Sequence, residues 1–134
     1  MTHGLKEWAL NYLRHRDSIR KEIVDIQPSK DSDYVVKVKT GEWFVFVRES
    51  LKDVPVVPSE FKTLFFVLNT KENVDILYKK WDSLKMPNIT FYFVNPRASG
   101  DSMWAINPYV HSLIADDETL KLGLETLYQT VETV

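Results

Sequence analysis

Between Asp33 and Glu49 the chain reads DYVVKVKTGEWFVFVRE, two alternating segments folded about Thr40–Gly41. Few other stretches restrict the fold so strongly. Glycine takes a positive φ without steric cost, so Thr40–Gly41 predicts a tight turn between antiparallel strands. In the first arm Lys37 and Lys39 point to one side and the valines mostly to the other. The second arm, Trp43–Phe44–Val45–Phe46–Val47, is apolar on both alternating sets. Such a strand must be covered on both faces, which places it centrally in a sheet.

The flanking sequence supplies the cover. Leu5, Trp8, Ala9, Tyr12 and Leu13 recur at helical spacing and predict a helix over Leu5–Arg20 with one buried stripe. Ile23, Val24 and Ile26 read as a short strand ended by Pro28, and Ser29–Asp33 as a turn. Ser50–Lys62, with Pro55 and Pro58, has no sustained period and reads as a surface connector. Leu64–Leu68 is a second fully apolar strand. Thr70 can cap a helix over Asn73–Leu84, whose stripe is Val74, Leu77, Tyr78, Trp81 and Leu84. Pro87 follows, then a strand at Ile89–Val94. Strand, helix and strand in that order make a parallel crossover unit. Asn95–Ser102 is a loop by composition. Met103–Ile114 is ambiguous, with a short strand at Trp104–Ile106 and a turn at Asn107–Pro108 as its simplest reading. Asp116 or Asp117 would cap a last helix carrying Leu120, Leu124, Leu127, Tyr128 and Val131. The expectation is an α/β (α+β) domain with a mixed sheet of about five strands flanked by helices.

The 134 residues, 44% hydrophobic and 27% charged, suit one globular domain spanning residues 1–134. With no cysteine, disulfides, thiolate metal sites and cysteine nucleophiles are excluded. No apolar run approaches the ~20 residues of a membrane span, and the N-terminus lacks the layout of a signal peptide. A cytoplasmic location without membrane attachment is the default. The net charge of −2 rules out a global positive field, so a nucleic-acid site would have to be a local patch.

The order helix, antiparallel strands, crossover helix, strand resembles the restriction-endonuclease-like PD-(D/E)XK superfamily. That resemblance implies an acid at the start of one strand, an acidic-x-Lys motif on the next, and a divalent metal between them. Laid on this chain, the first acid falls on Asp33 and the motif on Phe46–Val47–Arg48. Glu22 corresponds to a further carboxylate from the first helix. Phe46 stands where the second carboxylate belongs, and a benzyl group cannot ligate Mg²⁺. Glu49 cannot substitute by slipping one residue, since neighbouring strand positions face opposite ways. The resemblance therefore implies a degenerate site at Glu22, Asp33 and Arg48, with no catalytic residue, metal or cofactor.

Arg14, Arg16, Arg20 and Lys21, with His15 among them, form the densest basic cluster. Lys37 adds a cation from the strand. These residues can grip a phosphate backbone, or simply complement the C-terminal dipole of their helix. Trp104 and Tyr109 are the candidate interface residues, because aromatics dominate interface hot spots. His111 with Asp116 and Asp117 has metal-ligating types at a spacing that matches no known site. No nucleophile elbow and no glycine-rich phosphate cradle appears. The leading expectation is a catalytically degenerate nuclease-like domain with a nucleic-acid-associated binding role. Its rival is a protein-interaction or homodimerisation module. A metal-dependent nuclease or phosphodiesterase is the enzyme class to test against both.

Overall fold

A single mixed sheet organises the computed structural model, which describes residues 2–29, 32–53 and 62–134. Residues 54–61 of the expected connector, and residues 30 and 31 of the expected turn, lie outside the described residues. Helix α1 (Thr2–Arg20) leads into strands β1 (Ile23–Pro28), β2 (Tyr34–Val38) and β3 (Gly41–Val47). After a 3-10 turn at Leu51–Asp53 come β4 (Thr63–Leu68), α2 (Lys71–Lys79), α3 (Trp81–Leu84) and β5 (Ile89–Val94). Strand β6 (Met103–Ile106), α4 (Pro108–Ile114), a 3-10 turn at Asp117–Thr119 and α5 (Leu120–Gln129) complete the order. The six strands lie side by side in chain order. β2 runs antiparallel to both of its neighbours, β1 and β3; β3, β4 and β5 are parallel, and β6 is antiparallel to β5.

The apolar strands sit where their composition requires. β4 is buried at every position, and β5 at all but Thr90. Alternation divides their side chains between two cores. Val45, Val47, Leu64, Phe66, Tyr92 and Val94 pack beneath Leu5, Ala9 and Leu13 of α1. Phe46, Phe65, Val67, Phe91 and Phe93 face α2, α3 and α5. Aromatic rings line up across the strands. Phe46, Phe65 and Phe91 are register partners stacked at 4.9 and 5.1 Å, and Phe66 stacks on Tyr92 at 4.6 Å on the opposite face. Each such pair adds ~0.5–1.5 kcal/mol beyond its buried area.

The mixed sheet flanked by helices is as expected, and the short strand read at Trp104–Ile106 is its sixth member, Met103–Ile106, which pairs fully with β5 and buries Trp104 and Ile106 in alternation. Three expectations need correction. The helix expected over Asn73–Leu84 breaks at Lys80, whose carbonyl accepts both the Ser83 N–H and the Ser83 hydroxyl. A serine that bonds locally to the backbone competes with helix continuation. The break leaves Trp81 and Leu84 buried, whereas Tyr78 is exposed and Asn73 takes an inward position. Asn107–Pro108 starts a helix rather than a turn: the Asn107 side chain accepts the Val110 N–H, and Pro108 occupies the first helical position. The last helix begins at Leu120 behind a 3-10 turn, with Thr119 at its N-cap position and the Asp116 backbone carbonyl receiving the Thr119 N–H; the Asp117 side chain lies outside the described residues.

Candidate anion-binding recess

Of the three residues expected to mark a degenerate metal site, Asp33 and Arg48 meet, whereas Glu22 stands apart. Asp33 precedes β2, and its carboxylate accepts the Val47 N–H at 2.5 Å and pairs with the Arg48 guanidinium. Arg48 also donates to the Val47 carbonyl and lies 5.9 Å above the Phe46 ring. Glu22 lies at the other end of the same hairpin, its carbonyl receiving the Lys39 N–H while the Asp33 carbonyl receives that of Ser29. Six residues of strand separate those ends, ~20 Å at strand rise. Asp33 and Arg48 thus clamp the entry of β2 to the exit of β3. Phe46 is 2% exposed and stacked in the core. Among the described residues no three His, Asp or Glu side chains gather as metal ligands. The His111 ring meets Trp81 edge-on, at 5.7 Å between centroids.

Trp104 is not a surface anchor. It is 5% exposed, stacks on Phe93 at 4.2 Å, and donates its indole N–H to Asn69 Oδ1 at 2.8 Å. An edge strand still buries one face, and the indole fell on it. Tyr109 does lie at the surface, in an exposed apolar strip of α4 with Val110, Leu113 and Ile114.

The basic residues divide. Val36 and Val38 pack toward α1, so Lys37 between them faces the opposite side of the sheet, away from the α1 cations. There it is register partner of Asp25 on β1 and Glu42 on β3, a cross-strand arrangement of alternating charge. Lys21 closes α1 in the left-handed region at φ 50°, its N–H bonded to the Asp17 carbonyl. A helix usually reserves that position for glycine. Arg14 borders a second, more open depression of ≈ 280 Å³ over β1, lined also by Asp17, Ile23, Val24, Asp25 and Ile26.

Arg16 and Arg20 meet in a half-open recess between the C-terminal end of α1 and the sheet, lined also by Leu13, Asp17, Glu22, Ile23, Trp43 and Lys62. Each wall has a local cause. Arg16 and Arg20 are four residues apart and share one helix face. Arg16 donates to the Tyr92 hydroxyl at 3.0 Å. Burial works against its charge, but the nearby Tyr92 and Tyr12 hydroxyls outweigh that and raise its proton affinity. Asp17 is committed to the backbone, accepting the N–H groups of Glu22 and Ile23 at 2.8 and 3.0 Å. Lys62 enters from the residue before β4 and lays its ammonium 4.3 Å over the Trp43 ring. Its pKa is pushed down, chiefly by burial and then by Arg16 and Arg20, with Glu22 opposing. Three cations and two carboxylates therefore share the recess. Lys62 had no local signature; only the pairing of β3 with β4 brings it to α1. No known protein family, curated protein or solved structure matches the chain.

Proposed function

We propose that this domain binds nucleic acid without catalysing its cleavage, holding phosphate groups of the strand at the C-terminal end of α1. The gathering of Arg16, Arg20 and Lys62 in one recess carries this reading. In a chain of net charge −2, two guanidinium groups close enough to Lys62 to oppose its protonation are a local feature that an anion relieves. Arg14 and Lys21 add positive charge at the same end of α1, whereas Lys37 does not belong to that surface. The helix-first order and the antiparallel-then-parallel sheet are compatible with a restriction-endonuclease-like scaffold. An apolar Phe46 and a self-contained Asp33–Arg48 pair favour a degenerate version of it.

Fluorescence anisotropy with a labelled DNA duplex tests the reading. One phosphate in the recess and two neighbouring phosphates at Arg14 and Lys21 predict that log K falls against log salt with a slope of about −3. Absence of binding at low salt, or affinity indifferent to salt, would refute it.

A second reading follows from the α4 strip, where Leu113 is 67% and Ile114 80% exposed. Contiguous exposed apolar groups mark interaction surfaces, and here the rival role, self-association, would reside in α4 rather than at Trp104. Sedimentation equilibrium of the wild type and Leu113→Asp decides it: a concentration-dependent dimer lost on substitution supports this role, and a monomer throughout removes it.

A further inference from the structure

We propose that the Arg16–Arg20–Lys62 recess takes a phosphate monoester, such as the terminal phosphate of a nucleic-acid strand, rather than an internal phosphodiester. The inference rests on the nucleic-acid reading above for its polymeric ligand, but its chemistry is that of one phosphate group. Size is the first argument. The recess offers ≈ 40 Å³ of fillable space, enough for about three water molecules. That matches a single tetrahedral oxyanion and falls far short of the ~300 Å³ of pockets that enclose larger ligands. An internal phosphate carries a sugar on two of its oxygens and enters such a recess with difficulty. A terminal phosphate carries one and presents three free oxygens to the floor.

The donors are also held ready. Arg16 is oriented by its bonds to the Tyr92 and Tyr12 hydroxyls, and a guanidinium has five N–H donors, so donors remain for a ligand. Lys62 rests on the Trp43 ring. Side chains already fixed in place lose little freedom on binding. The same contact covers one face of Trp43, which leaves that face closed to a stacking base. The recess therefore reads charge and chain end, not sequence. A monoester carries ≈ −1.5 to −2 charge at neutral pH against −1 for a diester, and it gains more from each of the three cations.

The test compares one blunt duplex carrying 5′-hydroxyl ends with the same duplex carrying 5′-phosphates, alongside sodium phosphate titrated calorimetrically at matched ionic strength. Phosphorylated ends should bind about tenfold tighter, the worth of one charge-assisted hydrogen bond. Lys62→Met and the exposed Arg20→Gln should each collapse that ratio toward one, while Lys62→Arg keeps most of it. Because Arg20 is at the surface, its variant retains the test should Lys62→Met not fold. Equal binding of both duplexes without heat from phosphate overturns the inference and leaves the nucleic-acid reading standing. If neither duplex binds but phosphate does, and does so through Lys62, the nucleic-acid reading fails and the recess serves a small phosphate instead. No response in any arm overturns both.

Discussion

Asn69 offers the sharpest test of how this structure is held together. Its side chain is wholly buried where β4 ends, donating to the carbonyls of Tyr128, Val131 and Glu132 at 3.2, 3.0 and 3.4 Å and accepting the Trp104 indole N–H at 2.8 Å. One amide thus fastens the segment after α5 and the edge strand β6 to the sheet. Asn69→Ala orphans the buried indole N–H, at ~1–3 kcal/mol, and removes a buried bond to Val131 worth about 1 kcal/mol. The Tyr128 and Glu132 carbonyls are partly open to water and add little. The expected loss is about 3 kcal/mol, a large part of the ~5–15 kcal/mol that a domain possesses. Trp104→Phe keeps the stack on Phe93 but strips the donor, leaving Asn69 Oδ1 unpaired at about 1–2 kcal/mol. In the double variant the indole N–H no longer exists to be orphaned, so the two losses should fall short of their sum by about 1–2 kcal/mol. Urea denaturation followed by far-ultraviolet circular dichroism measures all four corners without relying on tryptophan emission. Additivity within ~0.5 kcal/mol, or a loss below ~1 kcal/mol for Asn69→Ala alone, would refute the hydrogen-bond argument.

Other consequences are simpler to state. Asp33→Ala removes the Arg48 pair and the acceptor for the Val47 N–H, groups whose side chains are 15% and 32% exposed on Asp33 and Arg48; chemical denaturation should show a loss of about 2 kcal/mol, with affinity for DNA unchanged. Lys21→Gly relieves the left-handed residue that ends α1, and should raise unfolding stability by about 0.5–1 kcal/mol. Lys62 has its folded pKa pushed below the ordinary lysine value of about 10.4. Between that lowered value and 10.4 the unfolded chain binds the extra proton, so this residue's contribution is complete above 10.4 and disappears as pH falls through the folded value. Thermal unfolding of the wild type minus that of Lys62→Met should therefore rise with pH across that window; a flat difference would contradict the burial of the ammonium.

Much of the fold was legible because one-dimensional patterns and three-dimensional burial coincide where strands are apolar on both faces. Trp43–Val47, Leu64–Leu68 and Ile89–Val94 have few other places to go, and the helical spacing of Leu5, Ala9 and Leu13 identifies the stripe that covers them. Patterns failed where local bonding interrupts a period, as Ser83 does at Lys80, or starts one, as the Asn107 side chain does for α4. Trp104 shows the deeper difficulty. A large aromatic in a brief edge segment reads equally well as anchor or core, and only the partner opposite, Phe93 on the next strand, distinguishes them.

The candidate site divides along the same line. By itself the sequence determined that α1 carries its cations toward its C-terminal end, that Phe46 cannot hold a metal, and that cysteine chemistry is absent. Spacing along a helix and the chemistry of a side chain are local properties, so they survive without coordinates. Only the tertiary structure decided that Lys37 lies across the sheet from those cations, that Asp33 and Glu22 occupy opposite ends of a hairpin, and that Lys62 joins Arg16 and Arg20. Strand register and parallel pairing set those relations, and they depend on contacts between residues far apart in the chain.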